Sequence, residues 1–264
     1  WEHMAQKGIV VVSIAYRLGV LGFLAHPWLS KEAPEDPKGN YGTLDQLAAL
    51  KWVKRNIAAF GGDPDRITIA GQSAGAMSVQ NLMTSPMAEG LMCGAIIESS
   101  VTVAFAEKED RSHPLEKAER VGAEFFEKAG FCSLEEARKM PAEELVRLED
   151  VLLGPGIHFE PAIDGILIQE SNFDAYKKNH HHKIPVLAGY NRGEAEGFSR
   201  AFGKTIDTVA GLREYAAGFG EKAEEFMRIS RVEDDADAKA LFSCDAMLDL
   251  VAGARMFGCL QSSQ

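Results

Sequence analysis

The chain has 264 residues, enough for one large α/β domain or two small ones, and its 46% hydrophobic content excludes an intrinsically disordered chain. The 28 Lys and Arg residues against 39 Asp and Glu residues give a net charge of −11. A charge of this sign repels phosphate backbones, so nucleic acid is not expected as a partner. No apolar run approaches the ~20 residues that a membrane span requires.

The first predicted element is a strand over residues 8–16. Its run of β-branched and apolar residues is nearly continuous, which is typical of a central parallel strand buried on both faces. After a loop rich in Gly, Pro and charge, Thr43 and Gln46 have the spacing of a capping box and predict the start of a long helix. Gly61-Gly62 indicate where that helix ends.

Two further strands and a helix follow in quick succession. Residues 66–70 predict a second short buried strand, and a Gly-rich turn then leads into a helical run that stops before Pro86. Residues 93–98 predict a third strand. This alternation favours right-handed crossovers. We therefore predict an α/β fold with a mostly parallel sheet and helices on both faces.

The middle of the chain is charged, helix-forming and interrupted by prolines, and we predict an inserted helical region there. Ser133 and Pro141 stand where helices are expected to begin. Residues 183–189 return to a strand pattern, and the segment after them is mostly helical. The predicted organisation is one partial domain over 1–264, with a sheet core at 1–100, the insertion at 101–180 and a final part at 181–264.

The most specific motif is Gly71-Gln72-Ser73-Ala74-Gly75, a G-x-S-x-G between a predicted strand and a predicted helix. Such a turn holds its serine in a strained backbone conformation, with the hydroxyl above the carboxyl edge of the sheet. The flanking glycines are expected to avoid Cβ atoms where strand and helix meet. Ser73 is therefore the candidate nucleophile, and the Ala74 amide is the candidate oxyanion donor. A Gly-rich turn with an incidental serine is the alternative.

Several segments together resemble the type-B carboxylesterases, which include cholinesterases and bacterial para-nitrobenzyl esterases. The resemblance implies the α/β-hydrolase fold and covers nearly the whole chain, with one departure: Gln72 stands where the family usually has Glu. The matching segments are 16–24 (YRLGVLGFL), 39–46 (GNYGTLDQ), 60–64 (FGGDP), 71–75 (GQSAG), 161–165 (PAIDG) and 184–194 (IPVLAGYNRGE).

The same resemblance implies an acidic triad member after the strand at 183–189. The family usually has Asp-Glu-Gly followed by a Phe four residues after the Glu. Here Glu194 is followed at that spacing by Phe198, which selects Glu194, and Glu196 before a glycine is the rival. A carboxylate there would accept a hydrogen bond from a histidine Nδ1–H and fix its tautomer. A solvated acidic turn without a catalytic role is the other interpretation.

The catalytic histidine is not found among these residues. In α/β-hydrolases the triad runs Ser, acid, His along the chain, and all seven histidines precede Glu194. The sequence also begins within an apparent element and stops directly after a helical stretch, with no closing element to pack over the sheet edge. We therefore expect a piece of a longer chain, incomplete at both termini, with the histidine beyond Gln264 and a Gly-Gly oxyanion segment before Trp1. The piece alone is expected to be nearly inactive.

Candidate metal ligands are sparse. His180-His181-His182 lies on a predicted extended segment, where neighbouring side chains point to opposite sides, so we interpret it as a solvated loop. The cysteines lack CxxC spacing and predict buried thiols rather than a zinc site or a disulfide framework. They are Cys93, Cys132, Cys244 and Cys259.

These observations predict a carboxylic ester hydrolase that acts on a small-molecule ester through an acyl-enzyme and a Ser-His-Glu triad, with no cofactor or metal. The alternative is a non-catalytic, esterase-like adhesion module on the same fold. The presence of both Ser73 and Glu194 favours the enzyme.

Overall fold

A computed structural model describes residues 2–100, 113–153, 158–189, 191, 206–217 and 220–243. The strands are β1 (Thr68–Gln72), β2 (Gly94–Glu98), β3 (His113–Pro114), β4 (Ala162–Ile163) and β5 (Val186–Gly189). The α-helices are α1 (Glu2–Ala5), α2 (Gly19–Phe23), α3 (Pro27–Glu32), α4 (Tyr41–Asn56), α5 (Ala74–Thr84), α6 (Leu115–Ala129), α7 (Leu134–Lys139), α8 (Ala142–Leu152), α9 (Asn172–Lys177), α10 (Val209–Ala217), α11 (Ala223–Ser230) and α12 (Asp235–Ser243).

The main sheet of the described residues has the order β1-β2-β5, and both pairs are parallel. Gln72 lies opposite Glu98, and Glu98 lies opposite Gly189. The three strands therefore end side by side at one edge of the sheet. The parallel arrangement predicted from the alternation of strands and helices is confirmed. The burial predicted for the strand at 66–70 is wrong, because the residues of β1 alternate between exposed and partly buried.

The core around this sheet is formed by apolar side chains from α4, α5, α9 and the strands. Ile97 in the central strand is fully buried because helices cover the sheet, as expected when crossovers place them on its faces. The fully buried members of this core with the largest side chains include Leu47, Met83, Ile97, Leu167, Ile168 and Tyr176.

The strand predicted over residues 8–16 is not present. The described structure has no strand in this segment, and Ile9, Val10 and Val12 are 43–49% exposed. An apolar, β-branched run indicates a tendency to be buried, but a strand also needs a neighbour to satisfy its backbone hydrogen bonds. Within the described residues, no strand pairs with this segment.

The capping box predicted at Thr43 and Gln46 is also wrong. The helix α4 begins at Tyr41, so Thr43 is inside it, and the Gln46 side chain donates to Ser78 Oγ at 3.0 Å. The N-cap is Asn40, whose side chain exchanges two hydrogen bonds with the backbone of Ala162 instead of capping the helix. The predicted end is confirmed, because a 3₁₀ turn after α4 stops at Gly61, with φ 81°.

The predicted helical insertion forms α6, α7 and α8, and Ser133 caps α7 by accepting from the Glu136 amide, as expected. Phe125 and Phe126 of α6 are buried against Phe23 of α2. The insertion therefore shares a core with the first part of the chain. The boundaries at 101 and 180 stay a prediction.

An aromatic cluster joins α3 to α6. His26 is 4% exposed, and its ring centroid lies 4.7 Å from that of Trp28 and 4.3 Å from that of Phe126. His26 Nδ1 accepts a hydrogen bond from the Trp28 amide at 3.0 Å and so caps α3. Burial lowers the pKa of His26, while the nearby Glu119 carboxylate opposes this shift.

The exposure of the described cysteines differs from the prediction. Cys93 and Cys132 are exposed free thiols, so the prediction of buried cysteines is wrong for both, and the other two cysteines lie outside the described residues. Cys93 directly precedes β2 at the amino edge of the sheet, where the covering helices do not shield it. Among the helices described, none is both long and apolar enough to cross a membrane.

Candidate active site

The G-x-S-x-G motif forms the sharp turn that the sequence predicts. Ser73 lies between β1 and α5 and has φ 54° and ψ −120°, a conformation that glycine adopts far more readily than serine. A non-glycine residue in such a region costs about 1–3 kcal/mol and persists only when its surroundings enforce it. The fold therefore strains its backbone at this serine.

The two glycines of the motif have unequal roles. A Cβ on Gly71 would overlap the carbonyl oxygen of Gly75, so this position requires glycine for strand and helix to approach. A Cβ on Gly75 would meet no atom within 4 Å among those described. The expectation that both glycines avoid a strand–helix clash is right for Gly71 and wrong for Gly75.

The backbone amide of Ser73 fixes the turn to the neighbouring strand, because it donates to the carbonyl of Glu98 at 2.9 Å. Ala74, the first residue of α5, is exposed. Its N–H belongs to the first helical turn, whose amides have no acceptor inside the helix. The positive end of the helix dipole also lies here. A partly buried hydroxyl and an available amide therefore stand next to each other at the carboxyl edge of the sheet.

The next strand ends in a second strained residue. Ser99 follows β2 directly, has φ 55°, and its amide donates to the carbonyl of Gly189 at 2.8 Å. The ends of β1, β2 and β5 are thus linked by hydrogen bonds through Ser73 and Ser99. Glu194 and Glu196 follow β5 in the sequence but lie outside the described residues, so the structure does not place either beside Ser73.

Sequence reasoning missed a buried polar side of α5. Gln80 is fully buried, and its Oε1 accepts a hydrogen bond from the Ser100 hydroxyl. Asn81 Oδ1 accepts from Asn172 Nδ2 at 2.7 Å, which joins α5 to α9. The only signal in the sequence is the adjacent pair of amides at 80 and 81, on a helix whose other core positions are apolar.

The three consecutive histidines have separate partners. His180 Nδ1 lies 2.6 Å from Glu170 Oε1, the His181 ring packs on Tyr176, and His182 Nε2 lies 2.9 Å from the Ser85 carbonyl. Burial lowers the pKa of His181, so its neutral form is favoured. His181 and His182 are partly buried, so the predicted solvated loop is right only for His180. In the part of the chain that is described, no three His, Cys, Asp or Glu side chains group as a metal site.

Solved structures define the class of fold. A carboxylesterase of Geobacillus stearothermophilus aligns with 98% of this chain and 54% of its own, with a TM-score of 0.75 and 33% sequence identity. Such proteins are α/β-hydrolases, and the fold class predicted from the sequence is confirmed.

The profile of the carboxylesterase family matches residues 2–239, and the chain belongs to this family. The resemblance drawn from the sequence motifs is thereby confirmed.

Three curated relatives show how broad the family is. A fumonisin B1 esterase of Sphingopyxis macrogoltabida is 37% identical over 97% of this chain and 44% of its own length. A para-nitrobenzyl esterase of Bacillus subtilis is 38% identical over 72% of this chain and 38% of its own. Human neuroligin-2 is 34% identical over 78% of this chain and 24% of its own length. The chain thus spans less than half the length of the curated relatives it matches.

Proposed function

We propose that the full-length protein carrying this chain hydrolyses carboxylic esters through Ser73. The observation that carries the proposal is the strained turn at Ser73, at the carboxyl edge of a parallel sheet and before the first turn of α5. A strained conformation costs stability, and such costs concentrate at functional sites. Family membership supports ester hydrolysis as the reaction.

In the proposed reaction, Ser73 Oγ attacks the ester carbonyl while a histidine takes its proton. The Ala74 amide donates to the oxyanion of the tetrahedral intermediate, where the α5 N-terminus favours negative charge. The alcohol leaves with the proton from histidine, and water then releases the acid from the acyl-serine by the same route. The reaction uses protein groups, a small-molecule ester and one water molecule.

Glu194 is the proposed acid, with Glu196 as its rival. The proposal is supported by the position of β5, whose last residue Gly189 shares an edge with Ser73, two strand spacings or about 10 Å away. An imidazole hydrogen-bonded to both groups would bridge a gap of this order. The histidine is expected after the acid in the sequence. Since all seven histidines precede Glu194, we expect these 264 residues alone to be nearly inactive.

A fluorophosphonate probe tests the proposal. The full-length protein should react once per chain, and digestion should place the adduct on the peptide that contains Ser73. Prior incubation with a para-nitrophenyl ester should slow the labelling. An adhesion module of the same fold, the second candidate, would stay unlabelled and would not turn over the ester. The observation that favours this second candidate is the 34% identity to neuroligin-2.

A further inference from the structure

The α5 helix carries a buried side chain that packing does not explain. Gln80 has no exposed surface, and among the described residues its Nε2 has no hydrogen-bond partner. An unpaired amide inside a protein loses its hydration without replacement. A methionine or leucine would fill the same space without this penalty. The position therefore retains a polar group at a cost to stability.

Among the described residues, the Gln80 carboxamide bonds to Ser100, which is 5% exposed and donates its hydroxyl proton to Gln80 Oε1. Ser100 directly follows Ser99, where the positive φ redirects the chain as it leaves β2. This bond fixes Ser100 to the side of α5. Both ends of the connection are buried, so water competes little for it.

The same segment contacts the Ser73 turn. Glu98, two residues before Ser100, accepts the hydrogen bond from the Ser73 amide, and Ser99 donates to Gly189 at the end of β5. A shift of the chain at Ser100 would therefore be transmitted to Ser73 through one strand end. Gln80 itself lies about two helical turns along α5 from Ser73.

We infer that Gln80 is a positioning residue: by holding Ser100, it keeps the strained Ser73 turn in register with the ends of β2 and β5. The inference rests on the proposed function. Gln80 touches no reacting atom, and its effect passes through Ser100 and Glu98.

Asn81 provides a matched control. It is a buried amide on the same helix, 5% exposed, and its side chain bonds to Asn172 of α9 rather than to the segment after β2. Replacing either amide with an apolar residue of similar size should alter stability. Only the change at Gln80 should alter the chemistry at Ser73.

The test uses four variants of the full-length protein: Gln80→Met, Ser100→Ala, the double variant and Asn81→Leu. Active sites are first counted by fluorophosphonate titration, and kcat and KM for a para-nitrophenyl ester are then expressed per active site. We expect Gln80→Met and Ser100→Ala each to lower kcat about three- to tenfold, the scale of one hydrogen bond, with KM unchanged. The double variant should lose no more than either single variant, because both changes remove one bond.

Asn81→Leu should change the melting temperature and leave kcat per active site unchanged. Equal kcat in all four variants would overturn the inference while the proposed function stands, and so would additive losses in the double variant. If Gln80→Met fails to fold, kcat of Ser100→Ala tests the inference alone, because this variant removes the same hydrogen bond by deleting only a hydroxyl. If the unsubstituted protein neither reacts with the probe nor turns over the ester, the proposed function fails first, and this inference with it.

Discussion

The region around Ser73 differs in its backbone and its surface from residues 113–153, which are one part of the helical insertion predicted over 101–180. Around Ser73, two non-glycine residues have positive φ within 27 positions, and α5 buries polar side chains. Between residues 113 and 153, the one positive φ belongs to Gly130, at the end of α6. The surface of the insertion carries ion pairs along its helices, such as Lys139 with Glu135 at 2.6 Å.

Residues 113–153 are thus built from backbone conformations that they prefer, whereas the neighbours of Ser73 hold its backbone in a conformation that serine disfavours. Strained turns and buried amides reduce stability, and they are retained where a defined geometry has a use. Substitutions around Ser73 should therefore affect activity and stability differently, while those on the insertion surface should affect both only slightly.

The largest effect is expected from Ser73→Ala in the full-length protein. Loss of the proposed nucleophile should lower kcat for a para-nitrophenyl ester by about 10⁴- to 10⁶-fold, as in serine proteases that lose a triad member. The melting temperature should change little, because alanine has the same backbone preferences here as serine. Turnover at the unsubstituted rate would remove Ser73 from the mechanism.

Gly71→Ala should cause the largest loss of stability. Its methyl group would overlap the Gly75 carbonyl, so strand and helix must separate, at a cost of at least about 2–3 kcal/mol in denaturant unfolding. Gly75→Ala is the control, since the methyl group has space and alanine suits a helix. The free energy of unfolding of Gly75→Ala should equal that of the unsubstituted protein or exceed it by up to ~1 kcal/mol. Equal losses for both variants would contradict the asymmetry of the motif.

Ser73→Gly measures the strain itself. Glycine adopts φ 54° and ψ −120° without steric cost, so the variant should be about 1 kcal/mol more stable than Ser73→Ala. Ser78→Gly inside α5 is the control and should be destabilising, because glycine weakens a helix interior. If Ser73→Gly is the less stable of the two variants at position 73, the turn is not strained.

Because His26 is buried between α3 and α6, we expect the stability of this contact to fall at acidic pH. Burial lowers its folded-state pKa, so the folded protein binds fewer protons than the unfolded chain. The contribution of neutral His26 to the free energy of unfolding is fully present above the pKa of about 6.5 that histidine has in the unfolded chain. This contribution is lost as the pH falls through the lower pKa that His26 has in the folded protein. Protonation of Nδ1 also removes the cap of α3, worth about 1 kcal/mol.

The measurement is the unfolding free energy at about pH 7.5 and about pH 5, below the ordinary histidine pKa. His26→Asn keeps a capping oxygen but does not titrate, so the difference between the two pH values should be smaller in this variant. An unchanged difference would show that His26 stays in one protonation state.

The smallest effect is expected from Lys139→Ala on α7. Both partners of this ion pair are more than 70% exposed, so its loss should cost less than about 0.5 kcal/mol in denaturant unfolding. High salt should reduce even this difference. A cost above ~1 kcal/mol would mean that the insertion depends on its surface charges.

Sequence reasoning succeeded where a pattern has one local meaning. The turn at Ser73, the cap at Ser133 and the helix end at Gly61 each depend on a few neighbouring residues. It failed where the outcome depends on distant partners. The apolar run at 8–16 indicated burial but could not supply a neighbouring strand, and Asn40 caps α4 poorly because Ala162, far along the chain, takes its side chain.

The site was likewise predicted only in part. A single motif selects Ser73 and Ala74 as candidates, whereas the hydrogen bond of Gln80 depends on Ser100 lying beside α5 after a turn that no local pattern marks. The unequal roles of Gly71 and Gly75 also require coordinates, because the motif treats both positions alike.

The two exposed thiols offer a practical route to watching these regions separately. Cys93 lies at the amino edge of the sheet, opposite the edge that holds Ser73, and Cys132 lies between α6 and α7. With every other cysteine of the protein replaced by serine, including Cys244 and Cys259, a fluorophore pair on Cys93 and Cys132 would report the distance between the sheet and the insertion. Energy transfer during unfolding would then reveal whether the two parts come apart together or in sequence.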